Sequence, residues 1–143
     1  MEFVRNVFVY GTLMRDFGGN WILEGNFLSW EKATAKGTMF SMGGFPMCDM
    51  RDESNIVRGE VYEIDLRRWE QTLARLDQLE GYRPGSNYML YERILVEVTT
   101  ESGEKKQAWV YTMPEKDQDR RELPSIPSGD WREHTRREYN RHG

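Results

Sequence analysis

A carboxylate at position 80 falls where a helical pattern calls for an apolar side chain. From Asp65 onward, Leu66, Trp69, Leu73 and Leu76 recur at spacings of three and four, and the next member of that stripe is Glu80. Arg67, Gln71, Arg75 and Gln78 fall on the opposite, solvated side. An ionised carboxylate buried without a partner is strongly disfavoured, so its pKa rises. The negative end of the helix dipole pushes the same way. Such a group is a proton acceptor tuned toward neutral pH. The same spacing allows a second outcome: if the helix frays at Gly81, Glu80 turns out to water and does no chemistry.

Two other features could act with that acid. Tyr10-Gly11-Thr12-Leu13 ends an apolar run, and a glycine at its start allows a turn whose following amides converge on an anion or a carbonyl oxygen. An ordinary strand-ending turn has the same sequence character. Tyrosines at 82, 88, 91 and 111 supply phenols that could orient a polar ligand, or equally core rings with hydroxyls at a rim. Together the three suggest an acid or base opposite an amide cradle. Other chemistries find less support. The histidines are His134 and His142, both in a charged tail, and Cys48 lies between Met47 and Met50 rather than in a cluster, so no metal site is expected. Pairing of Cys48 with a tail histidine is conceivable, but a buried gap-filling thiol is the plainer expectation. No phosphate-binding glycine loop is present. Tail arginines 132, 136, 137 and 141 alternate with acids and read as a solvated face, not a nucleic-acid surface.

The elements that must position these residues follow from local pattern. Phe3 to Tyr10 is strand-forming and nearly unbroken in apolar character, hence a buried central strand. Asp16 to Trp30 reads as a loop and short helix over the core, and Ala33 to Met42 as a second strand closed by Gly43-Gly44-Phe45-Pro46. Pro46 belongs to a loop or strand edge. Arg58 to Ile64 alternates and leads into the helix, which Asp65 caps and Gly81 ends, with Pro84 beyond. Tyr88 to Thr100 and Lys105 to Met113 form a hairpin around Ser102-Gly103. Trp131, Thr135 and Tyr139 share helical spacing in the tail. The outline is about five strands around one main helix, a small, mostly antiparallel barrel or curled sheet.

The 143 residues make one domain with one substantial core. A net charge of -4 gives no global basic field for nucleic acid or acidic lipid. A single cysteine suits a reducing compartment. No leader-like apolar stretch opens the sequence, and no apolar run approaches the roughly 20 residues of a membrane span. A soluble, cytoplasmic domain without membrane or nucleic-acid partners is expected.

Six pieces, in order, resemble the γ-glutamylcyclotransferase superfamily in its short AIG2-like, γ-glutamylamine cyclotransferase-like branch. They are Val9-Tyr10-Gly11-Thr12-Leu13, Gly44-Phe45-Pro46, Gly59-Glu60-Val61-Tyr62, Leu76-Asp77-Gln78-Leu79-Glu80-Gly81-Tyr82, Tyr91-Glu92-Arg93 with Val96-Glu97-Val98, and Ala108-Trp109-Val110-Tyr111. The resemblance implies an α+β fold, a small mixed, mostly antiparallel β-barrel with one main flanking helix, over residues 1–113. A charged C-terminal extension, 114–143, would pack on the same domain. It further implies Glu80 as general base and acid, with Tyr10, Gly11, Thr12, Leu13, Pro46, Tyr88 and Tyr111 around the substrate. The implied reaction cyclises a small-molecule γ-glutamyl amide to 5-oxoproline, releases an amine or amino acid, and needs no cofactor or metal. The alternative on the same fold is a non-catalytic binder of a small γ-glutamyl or carboxylate ligand.

Overall fold

A computed structural model of the protein describes residues 3–86, 88–117 and 122–142, with the side chain of His142 outside the description. Asn87, expected in the loop after the main helix, and residues 118–121 of the charged segment also lie outside the described residues. Strand β1 (Asn6–Val9) is short and its apolar residues are fully buried, as an unbroken Val-Phe-Val run demands. It pairs antiparallel with β5 (Ile56–Ile64) and, through Val7 opposite Trp109, parallel with β7 (Lys105–Thr112). Strands β2 (Phe27–Lys36) and β6 (Glu92–Thr100) complete the ring, so the order β1-β5-β2-β6-β7 closes a five-stranded barrel. Every pairing but β1 with β7 is antiparallel. The expected mixed, mostly antiparallel barrel with one main flanking helix is therefore what the chain forms.

The short strands β3 (Thr38–Ser41) and β4 (Pro46–Asp49) make a separate two-stranded sheet. The sequence pattern places one strand over Ala33 to Met42, yet the chain breaks at Gly37 and passes from the barrel to this hairpin. A Cβ at Gly37 would stand 2.8 Å from Met50 Sδ and 3.1 Å from Val57 Cγ2, so glycine lets the corner close without displacing the Met50 side chain. Phe27 to Trp30, expected in a covering loop and helix, instead begins β2, and the cover is a 3-10 turn at Asn20–Ile22. Pro46 opens β4 at the margin of the small sheet, where its missing N–H is harmless.

The main helix α1 spans Trp69–Glu80 after a 3-10 turn at Leu66–Arg68. Asp65 caps as expected, its carboxylate accepting from the Arg67 N–H at 3.0 Å. Because the entry is a 3-10 turn, Leu66 is rotated out and the buried stripe starts at Trp69, with Thr72 and Leu76. A second helix, α2 (Trp131–His142), buries Trp131 while Tyr139 is exposed. Before α2, the Ile126 N–H donates to Met39 and the Ser41 N–H to Pro124, which ties this segment to the edge of β3. No helix among the described residues is long and apolar enough to cross a membrane.

Candidate active site

Helix α1 does not fray at its end. Gly81 adopts a left-handed conformation (φ 66°) and its N–H donates to Gln78 at 3.3 Å, while the Tyr82 N–H reaches back to Asp77 at 2.9 Å. This six-to-one closure satisfies the last carbonyls and holds Glu80 in the helix. Glu80 lines a cavity of about 480 Å³ with Tyr10, Gly11, Thr12, Leu13, Pro46, Tyr91 and Tyr111. It is the only charged residue among the described residues of that lining. Burial pushes its carboxyl up to about 7, and no counter-ion acts against this rise. At neutral pH the group is poised between acid and base.

The phenols of the cavity are committed to the protein. Tyr10 donates its hydroxyl to the Tyr111 carbonyl at 2.6 Å and accepts from the Cys48 N–H at 3.3 Å. Tyr91 donates to the Pro46 carbonyl at 2.8 Å, and Tyr111 donates to Asp77 Oδ1 at 2.6 Å. Burial drives the Tyr10 and Tyr111 phenols well above their ordinary range, so both stay protonated. By contrast, the N–H groups of Gly11, Thr12 and Leu13 donate to no group among the described residues. The turn itself is closed behind them by Met14 N–H to Gly11 carbonyl (3.0 Å) and Gly19 N–H to Thr12 carbonyl (2.9 Å). The cavity lining thus combines one acid and one set of backbone donors with the side-chain donors of Thr12 and Trp21.

Gly11 is required here by proximity rather than by a positive φ. A Cβ at this position would stand 2.7 Å from Pro46 Cγ, so glycine allows the turn and the β4 hairpin to meet across the cavity floor.

Two polar clusters hold the walls. Asp77, one turn before Glu80, takes Arg93 Nε at 2.8 Å and Nη2 at 3.3 Å besides the Tyr111 hydroxyl. The Arg93 guanidinium is centred 5.0 Å from the Tyr82 ring and 4.8 Å from the Trp109 ring. The last turn of α1 is thereby fastened to β6 and β7. On the other flank, buried Glu60 accepts from the Arg15 N–H (2.7 Å) and the Tyr62 hydroxyl (2.9 Å) and pairs with Arg132 of α2 (3.4 Å). Arg132 also donates to the Arg15 carbonyl at 2.7 Å. This pins the loop that runs from Leu13 to Gly19 along the cavity.

Of the residues the sequence singles out, the structure brings together Glu80, Tyr10, Gly11, Thr12, Leu13, Pro46 and Tyr111. It does not bring Tyr88: that side chain is 87% exposed and lies outside the lining. The cavity takes its ring from Tyr91 because β6 starts at Glu92, so strand alternation cannot be extended back to 88. Asp77 and Arg132 were missed, since a helical acid and a tail arginine look like solvated charges. Cys48 is fully buried in β4 and its thiol is pushed well up by burial, so it fills space as expected; His134 stacks on Trp131 instead. Among the described residues no His, Cys, Asp or Glu cluster has the makings of a metal site.

Residues 7–133 match the family described as gamma-glutamyl cyclotransferase, AIG2-like. The chain is 36% identical over 111 residues to the gamma-L-glutamyl-butirosin B gamma-glutamyl cyclotransferase of Niallia circulans, an alignment spanning 76% of this chain and 67% of that protein. Among solved structures it is similar to YkqA from Bacillus subtilis, with a TM-score of 0.71 and 31% identity, covering 95% of this chain but only 42% of that one. It is also similar to an AIG2-like protein from Mus musculus, with a TM-score of 0.65 and 25% identity, covering 90% of both chains.

Proposed function

From a chain that belongs to the AIG2-like gamma-glutamyl cyclotransferase family, we infer an enzyme that cyclises a γ-glutamyl amide to 5-oxoproline and releases the amine or amino acid. The observation that carries this reading is Glu80: a half-buried, unpaired carboxyl near neutrality, in a cavity also lined by the unengaged backbone amides of Gly11 to Leu13.

The chemistry needs little more. The α-amine of the substrate attacks the γ-carbonyl in its neutral form, and Glu80 takes a proton from that nitrogen as the new bond forms. Nitrogen–carbon bond formation closes a five-membered ring and places negative charge on the former carbonyl oxygen. The amides of Gly11 to Leu13 are suited to hold that oxygen or the substrate α-carboxylate. Collapse breaks the original amide bond, and the protonated Glu80 returns its proton to the departing nitrogen. No water is consumed and no proton is left over. Because the attack is intramolecular, holding the γ-glutamyl group in a ring-forming pose supplies much of the rate.

The test is release of 5-oxoproline from a panel of γ-glutamyl amides, followed by mass spectrometry. Turnover by the wild type supports the reading. A folded protein that turns over nothing but is stabilised thermally by 5-oxoproline would instead be a binder on the same fold.

A further inference from the structure

The cavity changes character from its floor to its mouth. Tyr10, Leu13, Tyr91 and Tyr111 are buried, and the polar groups a γ-glutamyl head needs lie at this end. The mouth is built from Trp21, Phe45, Leu79 and Leu90. Trp21 is 62% exposed and Leu79 is 51% exposed, and no charged side chain other than Glu80 reaches the cavity among the described residues. Large apolar side chains left open to water around one cavity mouth mark a surface that gains from being covered. Four elements contribute them independently: the 3-10 turn, the β3–β4 loop, α1 and the segment before β6.

The proposed chemistry says what covers them. Once the α-amine faces Glu80 and the γ-glutamyl carboxylate or oxyanion faces the Gly11–Leu13 amides, the substituent on the scissile nitrogen must run outward past Leu79, the neighbour of Glu80. We propose that Trp21, Phe45, Leu79 and Leu90 form the leaving-group subsite, and that this protein acts on γ-glutamyl amides whose leaving amine carries an uncharged, apolar chain or ring. This rests on the cyclotransferase reading and refines it. A hydrocarbon chain trades water for the rim side chains. An ammonium at the end of the same chain would lose hydration there without a carboxylate to meet it, since Glu80 is engaged at the other end of the bond.

Three substrates isolate the effect: γ-glutamyl pentylamide, the γ-glutamyl amide of aminobutylamine, and γ-glutamyl methylamide. The first two have the same length and differ by a terminal methyl against a terminal ammonium. We expect kcat/KM for the pentylamide to exceed that for the aminobutyl compound by at least about tenfold, and that for the methylamide by a similar factor. In Trp21→Ser and, separately, Leu79→Ser, the pentyl-to-methyl ratio should fall at least about threefold. Both positions are solvent-facing, and the wild-type substrate ratios stand as a test even where a variant folds poorly. Equal or reversed ratios with all three compounds turned over would overturn the subsite while leaving the cyclotransferase reading intact. Wild-type ratios as expected but unchanged in both variants would overturn its assignment to these residues. Turnover of none of the three, or of any other γ-glutamyl amide, would remove the parent reading and this one with it.

Discussion

Tyr111 donates its hydroxyl to Asp77 at 2.6 Å, and so spends on the wall of the cavity a group that looked free to hold a ligand. Asp77 is thus shared between β7, through Tyr111, and β6, through Arg93. It sits three residues before Glu80 on the same helix and carries the carbonyl that closes the C-cap.

Loss of the shared acid should cost more than loss of either donor's single bond. Asp77→Ala leaves Arg93, with a side chain only 17% exposed, without its counter-ion, and a loss of about 2–3 kcal/mol is expected. Tyr111→Phe keeps the ring as cavity wall and gives up one hydrogen bond, about 1 kcal/mol. Urea unfolding measures both. Equal losses would mean that Arg93 finds another partner when Asp77 is gone.

Glu80 should make the protein less stable as its carboxyl ionises. Its folded-state pKa, about 7, lies above the ordinary 4.5, so the folded state holds the proton more tightly than the unfolded one. The stability it contributes is complete below about 4.5 and is lost as pH rises to about 7. Glu80→Gln removes that dependence. Relative to wild type, the variant should gain up to about 3 kcal/mol between about pH 4 and about pH 8, read from melting or urea midpoints across pH. A constant difference across that window would show that the carboxyl is solvated.

Arg132 joins the C-terminal helix to the loop along the cavity. Arg132→Met keeps the aliphatic stem but frees Glu60 and the Arg15 carbonyl from their cation. A stability loss of about 1–2 kcal/mol is expected, because Glu60 keeps the Arg15 N–H and the Tyr62 hydroxyl. The loop would be held less firmly, so KM should rise several-fold with kcat nearly kept. A fall in kcat at constant KM would place the effect on Glu80 instead.

Much of this was legible in the chain because burial writes a period into sequence. The stripe of Trp69, Leu73 and Leu76 aims Glu80 inward, and the run Val7 to Tyr10 marks a strand buried on both sides. Turns were harder. Gly37 falls at the break in an apparently continuous strand, and its close packing against Met50 and Val57 exists only in three dimensions. Gly11 reads as a conformational glycine and turns out to be one of close approach to Pro46. Tyr88 and Tyr91 share the same local character, and only the starting point of β6 separates the exposed ring from the lining one. Asp77 and Arg132 carry no period at all. Their partners, Arg93 and Glu60, lie 16 and 72 residues away, respectively, and such pairs cannot be read from composition or spacing.

The proposed role of the Glu80 carboxyl in moving the protons of cyclisation is tested most directly by steady-state 5-oxoproline formation, comparing wild type and Glu80→Gln on one accepted γ-glutamyl amide. The glutamine keeps the shape and cannot take a proton. The expected kcat of the variant is at least about 100-fold lower, with thermal stabilisation by 5-oxoproline retained, and the wild-type kcat/KM should fall as pH drops through about 7. A Glu80→Gln enzyme within a few-fold of wild type would contradict that role.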